Sequence, residues 1–250
     1  MATARPARRP LLRPLVGWVL GALGLVLSVS ACFLLAPFLG GARAFWRLAP
    51  GYVRGTARLF GIRRELAGWE DLPVELRDGS RPAIFISNHA SLFDPPLVVS
   101  TLPCRPVFVA KRELGQVPFL GWVIWLAGFI FIDRGDRRAA RRSLTRAAER
   151  IRDGQSIVAF PEGTRSRDGR LLPFKKGPFS LAFEAGVPVV PFAIQGGAEI
   201  LPKGTWRVRG GPYRLVMGTP LDPGTFASPA ALREAADSAV RRLLGMPGGA

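Results

Sequence analysis

The stretch Ala83-Ile84-Phe85-Ile86-Ser87-Asn88-His89-Ala90-Ser91-Leu92-Phe93-Asp94-Pro95-Pro96 decides how the chain is read. Its apolar start fits a short strand buried on both faces. The strand passes directly into a polar segment holding the single histidine of the 250-residue chain. A lone histidine is ordinarily structural, but strand ends are where α/β folds gather reactive groups. Asp94 follows five residues later. Pro95-Pro96 bias the local backbone away from helix, so a turn is expected to fold Asp94 against the imidazole. A carboxylate that holds one ring nitrogen leaves the other to accept a proton. The spacing alone is common by chance.

Working outward, similar apolar runs recur at residues 106–110, 156–160, 187–194 and 213–217. The run 187–194 is expected at an edge or bent, because Pro188 and Pro191 cannot donate ladder hydrogen bonds. Helical periods lie between these runs. Residues 136–152 place Ala140, Leu144, Ala147, Ala148 and Ile151 on one face and many arginines on the other. Residues 177–185 run to Gly186, a fitting C-cap. The last helix is expected to start with Ser228 as N-cap and Pro229 in the first turn. Strands alternating with helices indicate an α/β domain.

The strand at 156–160 runs into Phe160-Pro161-Glu162-Gly163-Thr164-Arg165-Ser166. Glycine lets backbone approach a ligand, and arginine offers a planar fork matched to phosphate oxygens. A polar turn after a strand is the plainer alternative.

Composition narrows the class. The net charge of +17 points to an anionic membrane surface, an anionic substrate or nucleic acid. Arginine far outnumbers lysine, a bias that GC-rich coding also produces. No zinc-finger spacing or RNA-recognition motif is present, so membrane and phosphate rank above nucleic acid, and no nucleic-acid partner is expected. Two cysteines do not form a disulfide framework. One histidine excludes a multi-histidine metal site, and no metal is expected.

No charged residue lies between Arg13 and Arg43. The run is long enough to cross a bilayer and too long for the apolar part of a signal peptide. Basic residues on both flanks satisfy the positive-inside rule best with both ends cytoplasmic. Pro37 and Gly40-Gly41 offer flexible points. A single span and a re-entrant helical hairpin both remain open. The expected organisation is a basic tail at 1–14, an anchor and basic linker at 15–64, a catalytic domain at 65–245 and a short tail at 246–250.

Taken in order, four blocks resemble those of the 1-acylglycerol-3-phosphate acyltransferase family. They are Asn88-His89 with Asp94; Gly128-Phe129-Ile130-Phe131-Ile132-Asp133-Arg134; the segment Phe160 to Ser166; and Val187-Pro188-Val189-Val190-Pro191. Lys111-Arg112-Glu113-Leu114, Pro118-Phe119-Leu120-Gly121-Trp122 and Phe174-Lys175-Lys176-Gly177 agree with it as well. The resemblance covers roughly residues 80 to 220. It implies a central mixed sheet flanked by helices, with a membrane anchor ahead of it. It also implies that His89 deprotonates the acceptor hydroxyl and Asp94 orients it. Arg134, Glu162, Gly163, Thr164 and Arg165 would form the headgroup site, with Lys111 a further contact. The expected acceptor is lysophosphatidic acid or another lysophospholipid. The donor would be acyl-CoA or acyl-carrier protein, with no other cofactor, and membrane lipids would surround an enzyme facing the cytoplasm. A non-catalytic headgroup-binding module is the rival, although binding alone requires no general base. A serine hydrolase is disfavoured by the absence of G-x-S-x-G.

The chemistry also requires donors for the thioester oxygen, and the amides near Ser91 or Gly163 are candidates. Phe119, Trp122, Trp125 and Phe129 suit an acyl tunnel, the bilayer interface or ordinary core. The basic helix 136–152 suits either anionic headgroups or solvent.

Overall fold

The computed structural model describes residues 12–133, 137–166 and 170–246. The tail at 1–11, Arg134 and residues 247–250 lie outside the described residues. Two helices lead, α1 (Leu12–Leu39) and α2 (Gly41–Leu59). They are followed by β1 (Ile62–Ala67), α3 (Val74–Arg77), β2 (Ile84–Ile86), α4 (Asp94–Thr101), β3 (Val107–Lys111), α5 (Leu120–Leu126) and β4 (Ile130–Ile132). Then come α6 (Arg137–Arg152), β5 (Ile157–Ala159), α7 (Gly177–Ala185), β6 (Val189–Gln195), α8 (Gly197–Ile200), β7 (Gly211–Met217) and α9 (Pro229–Leu243).

The strands form one mixed seven-stranded sheet in the order β1-β7-β6-β2-β5-β3-β4. Strands β2 to β6 run parallel, β7 is antiparallel to β6, and β1 is parallel to β7. Alternation along the strands feeds two cores. Phe85, Val190, Phe192 and Ile194 pack with α2 and α4 on one face, while Ile84, Ile86 and Val189 pack with α6, α7 and α9 on the other. Strand β1 crosses the boundary expected at residue 65 and joins the sheet.

Two expectations are corrected. Strand β6 lies inside the sheet between β7 and β2 and is not an edge. Its pairing shifts by one residue between the bridge Val189↔Leu221 and the pair Phe192↔Met217. Pro191 sits at that break, where a missing N–H disrupts no regular ladder. Nor do Pro95-Pro96 prevent a helix: they occupy the first turn of α4. There the N–H groups have no intrahelical acceptor, so proline costs little.

The expected caps are present. Gly186 takes the left-handed conformation (φ 62°) after α7, and Ser228 Oγ accepts from Ala231 N at 3.2 Å. Gly40 (φ 80°) reverses the chain between α1 and α2. The two pack as an antiparallel hairpin in which Tyr52 donates to the Gly21 carbonyl at 2.8 Å. The underside of α2 buries Ala44, Phe45, Ala49, Val53 and Ala57, and leaves Arg43, Arg47, Arg54 and Arg58 exposed.

Candidate active site

All five parallel strands end at one edge of the sheet, and the conspicuous polar segments leave from it. His89 follows β2, Glu162 to Ser166 follow β5, Lys111 closes β3 and Asp133 follows β4. Asn88 seals the start of the β2 turn, its side chain standing in for the next ladder residue. Nδ2 donates to the Ile194 carbonyl at 3.0 Å, and Oδ1 accepts from Ile194 N at 2.8 Å.

The turn then brings Asp94 beneath the imidazole. Asp94 Oδ2 lies 2.9 Å from His89 Nδ1 and accepts from Ala90 N at 2.8 Å and Ser91 N at 2.7 Å. Asp94 is fully buried, while the His89 side chain is 18% exposed. Charge-assisted bonds of this kind hold a carboxylate firmly without a cationic side chain. Tyr213 donates to Asp94 Oδ1 at 3.5 Å; burial, then the Asp94 charge, pushes its hydroxyl well above the ordinary tyrosine range. Phe160 stacks on the imidazole with centroids 4.5 Å apart. One nitrogen is therefore fixed and Nε2 is the one left to meet a substrate.

Glu162, expected at a headgroup site, is turned inward and only 4% exposed. Its Oε1 accepts from His89 N at 2.5 Å and its Oε2 from Leu172 N at 2.8 Å. Burial pushes its carboxyl up to about 7 despite those two bonds. Glu162 thus ties the β5 loop to the histidine turn, and the bond from Ser166 N to the His89 carbonyl (3.0 Å) ties it a second time. Gly163 has φ 74°, and a Cβ there would stand 2.6 Å from Lys175 Nζ. Thr164 is exposed and Arg165 partly so. Lys111 ends β3 two strands away from β2 and pairs with Glu113 at 2.8 Å. Among the amides in the two turns expected to supply thioester-oxygen donors, Ser91 N is engaged with Asp94 and Gly163 N with the Phe160 carbonyl at 3.0 Å.

Sequence reasoning missed Tyr213, Gly197 and Lys203. A Cβ on Gly197 would stand 2.7 Å from Asp94 Oδ1, and Lys203 Nζ donates to the Arg165 carbonyl at 2.8 Å. All three are remote in sequence from the turn they support, so no local spacing signals them. The aromatic group divides. Phe129 packs in the core against Phe45 and Phe108. Trp122 and Trp125, 49% and 69% exposed, line a mainly apolar cavity of about 200 Å³ with Phe33 and Phe131. Among the described residues no cluster of three or more His, Cys, Asp or Glu side chains is placed to hold a metal.

A histidine held by a buried carboxylate at a strand end, beside a glycine-arginine loop, is the arrangement of a general base, able to take a proton from a hydroxyl. The chain belongs to the Acyltransferase family, whose profile matches residues 63–195. It is 39% identical over 171 residues to the 1-acyl-sn-glycerol-3-phosphate acyltransferase of Haemophilus influenzae, covering 66% of this chain and 71% of that protein. A protein of the same description from Limnanthes douglasii is 41% identical over 155 residues, 60% of this chain and 55% of that one. The crystal structure of the 1-acyl-sn-glycerophosphate (LPA) acyltransferase of Thermotoga maritima superposes with a TM-score of 0.80 at 28% identity, covering 94% of this chain and 95% of that one. The chain spans about half the length of several plant relatives, 45% for the Brassica napus protein.

Proposed function

We propose that this protein transfers a fatty acyl group from a thioester to the free hydroxyl of lysophosphatidic acid, giving phosphatidic acid for phospholipid synthesis. The observation that supports this reading is the 2.9 Å contact between buried Asp94 and His89 Nδ1, with Nε2 acting as the base. The acceptor hydroxyl gives its proton to Nε2 as its oxygen attacks the thioester carbonyl. The C–O bond forms, the C–S bond breaks, and the imidazolium returns the proton to the departing thiolate. Asp94 stabilises the imidazolium in between. No acyl-enzyme is required. The donor is acyl-CoA or acyl-carrier protein.

Arg165 and Thr164 contact the acceptor phosphate, with Lys111 as a further cation on the same sheet edge and Arg134 as another headgroup contact. Their role is orientation, which lowers the entropic part of the barrier. The cavity at Trp122 and Trp125 accepts acyl chain. It borders β4, three strand spacings or roughly 14 Å from β2, within reach of a long chain.

The protein is membrane-bound through α1, and its catalytic domain faces the cytoplasm. Residues Leu15–Leu39 are long and apolar enough to cross a bilayer, with a mean hydropathy of 2.4 and little burial.

The test is an assay of purified protein with a panel of lysolipids and both donors. Wild type should form phosphatidic acid, and His89→Ala should lower the rate by about 10²–10⁴-fold with an unchanged circular dichroism spectrum. Full activity in the variant, or a wild type inert towards lysophosphatidic acid, refutes the proposal.

A further inference from the structure

We propose that a second phosphate site, for the headgroup of an anionic bilayer phospholipid, lies between α2 and the loop joining α4 to β3. A cavity of about 240 Å³ there is lined by Arg47 and Arg54 from α2 and Arg105 from the loop, with Trp46 and Ser100 beside them. No acidic residue lines it, and none of the three arginines pairs with a carboxylate among the described residues. Just beneath, Arg64 donates to the Ser100 carbonyl at 2.6 Å. Burial, then the charges of Arg54 and Arg58, holds its guanidinium below the ordinary arginine value. Uncompensated positive charge thus accumulates around a concave surface. Guanidinium forks match phosphate oxygens, and a choline headgroup would bring another cation into the same place.

The site is separate from the His89 turn. Ser100 lies in the last turn of α4 and Arg105 precedes β3, so both lie toward the sheet edge opposite the one that carries His89. The ligand is assigned to the bilayer by depth. Packed helices have axes about 8–10 Å apart, and the polar headgroup layer begins within that distance of the hydrocarbon and is about 5–7 Å thick. With the apolar side of α1 immersed, α2 and its arginines ride at phosphate level.

The lipid source rests on the membrane anchoring proposed above, and the experiment separates the two. Partitioning of the full chain is measured on vesicles of phosphatidylcholine alone and of phosphatidylcholine with one-fifth phosphatidylglycerol. Wild type is compared with Arg47→Gln/Arg54→Gln/Arg105→Gln. The charge-matched control is Arg152→Gln/Lys176→Gln/Arg242→Gln, three exposed residues on helices of the opposite sheet face or their cap. All three proteins should bind neutral vesicles equally. Phosphatidylglycerol should strengthen binding of wild type and control by about tenfold, and of the pocket variant far less. Equal losses in both variants mean delocalised charge and overturn the site. Loss of the enhancement in millimolar inorganic phosphate marks a free-anion site and overturns the lipid assignment. No binding of wild type to neutral vesicles overturns the anchoring and the lipid source together.

Discussion

Asp94 and Glu162 both present carboxylates to the histidine turn, yet they do different work. Asp94 grips the ring and two backbone amides; Glu162 grips the backbone beneath the ring and the Leu172 amide. Replacing Glu162 with Gln leaves one oxygen to accept and sets an amide N–H against a backbone N–H, at a cost of about 1–3 kcal/mol. Glu162 holds the backbone amide of His89, so Glu162→Gln should lower kcat at least tenfold with little change in KM for lysophosphatidic acid. A rise in KM with kcat intact would return Glu162 to the headgroup. Its raised carboxyl also has a thermodynamic sign. Between the ordinary 4.5 and about 7 the native state holds a proton that the unfolded chain has released. The stability contributed by the neutral form is present below 4.5 and lost as pH climbs through about 7. Wild type should therefore lose stability relative to Glu162→Gln as pH rises across this window, by at most about 1.4 kcal/mol per pH unit. Denaturant titrations of both proteins at several pH values measure it. The His89–Asp94 pairing was legible because both partners lie within six consecutive residues. The inward turn of Glu162 was not, since a motif names a side chain without giving its direction.

At the scale of elements, the alternation of apolar runs with helical periods located five strands, because buried parallel strands carry continuous apolar sequence. Strands β1 and β4 escaped: three charged residues interrupt the apolar run of β1 (Ile-Arg-Arg-Glu-Leu-Ala), and β4 spans three residues. The prolines of β6 and α4 misled for a common reason. Local propensity assumes regular pairing or a helix interior, whereas a register break and a first turn are places where a missing N–H matters little. Short α8 matters beyond its length, since it brings Gly197 against Asp94. Gly197→Ala would place a methyl 2.7 Å from Asp94 Oδ1, and the other carboxylate oxygen is already tied by three contacts. Overpacking of this kind costs about 1–3 kcal/mol. We expect a lower melting temperature and a kcat reduced about tenfold, the rate change following from a displaced imidazole. Unchanged kcat in a destabilised variant would show that the Asp94 carboxylate tolerates the shift.

Over the whole molecule, charge and apolar surface are segregated by face. The arginine-bearing helix α6 packs on the side of the sheet opposite α2, which favours its solvated alternative over headgroup contact. The choice that sequence left open for the anchor, span or hairpin, turns on α2. If α1 crossed the bilayer in this packing, α2 would lie beside it and carry Arg43, Arg47 and Arg54 into hydrocarbon. Each arginine near the bilayer centre costs at least about 2.5–3.5 kcal/mol. A hairpin lying in one leaflet avoids that cost, with Leu27, Leu34 and Phe38, 62%, 73% and 84% exposed, turned toward the acyl chains. The tip of the hairpin then never reaches the far side. Phe38→Cys in a Cys32→Ala/Cys104→Ser background, reconstituted with the catalytic domain outside sealed vesicles, should resist a membrane-impermeant thiol reagent trapped in the lumen. The same cysteine should react once detergent dissolves the bilayer. Efficient lumenal labelling before solubilisation would establish a span, and would require α2 to leave α1 when the protein enters the membrane.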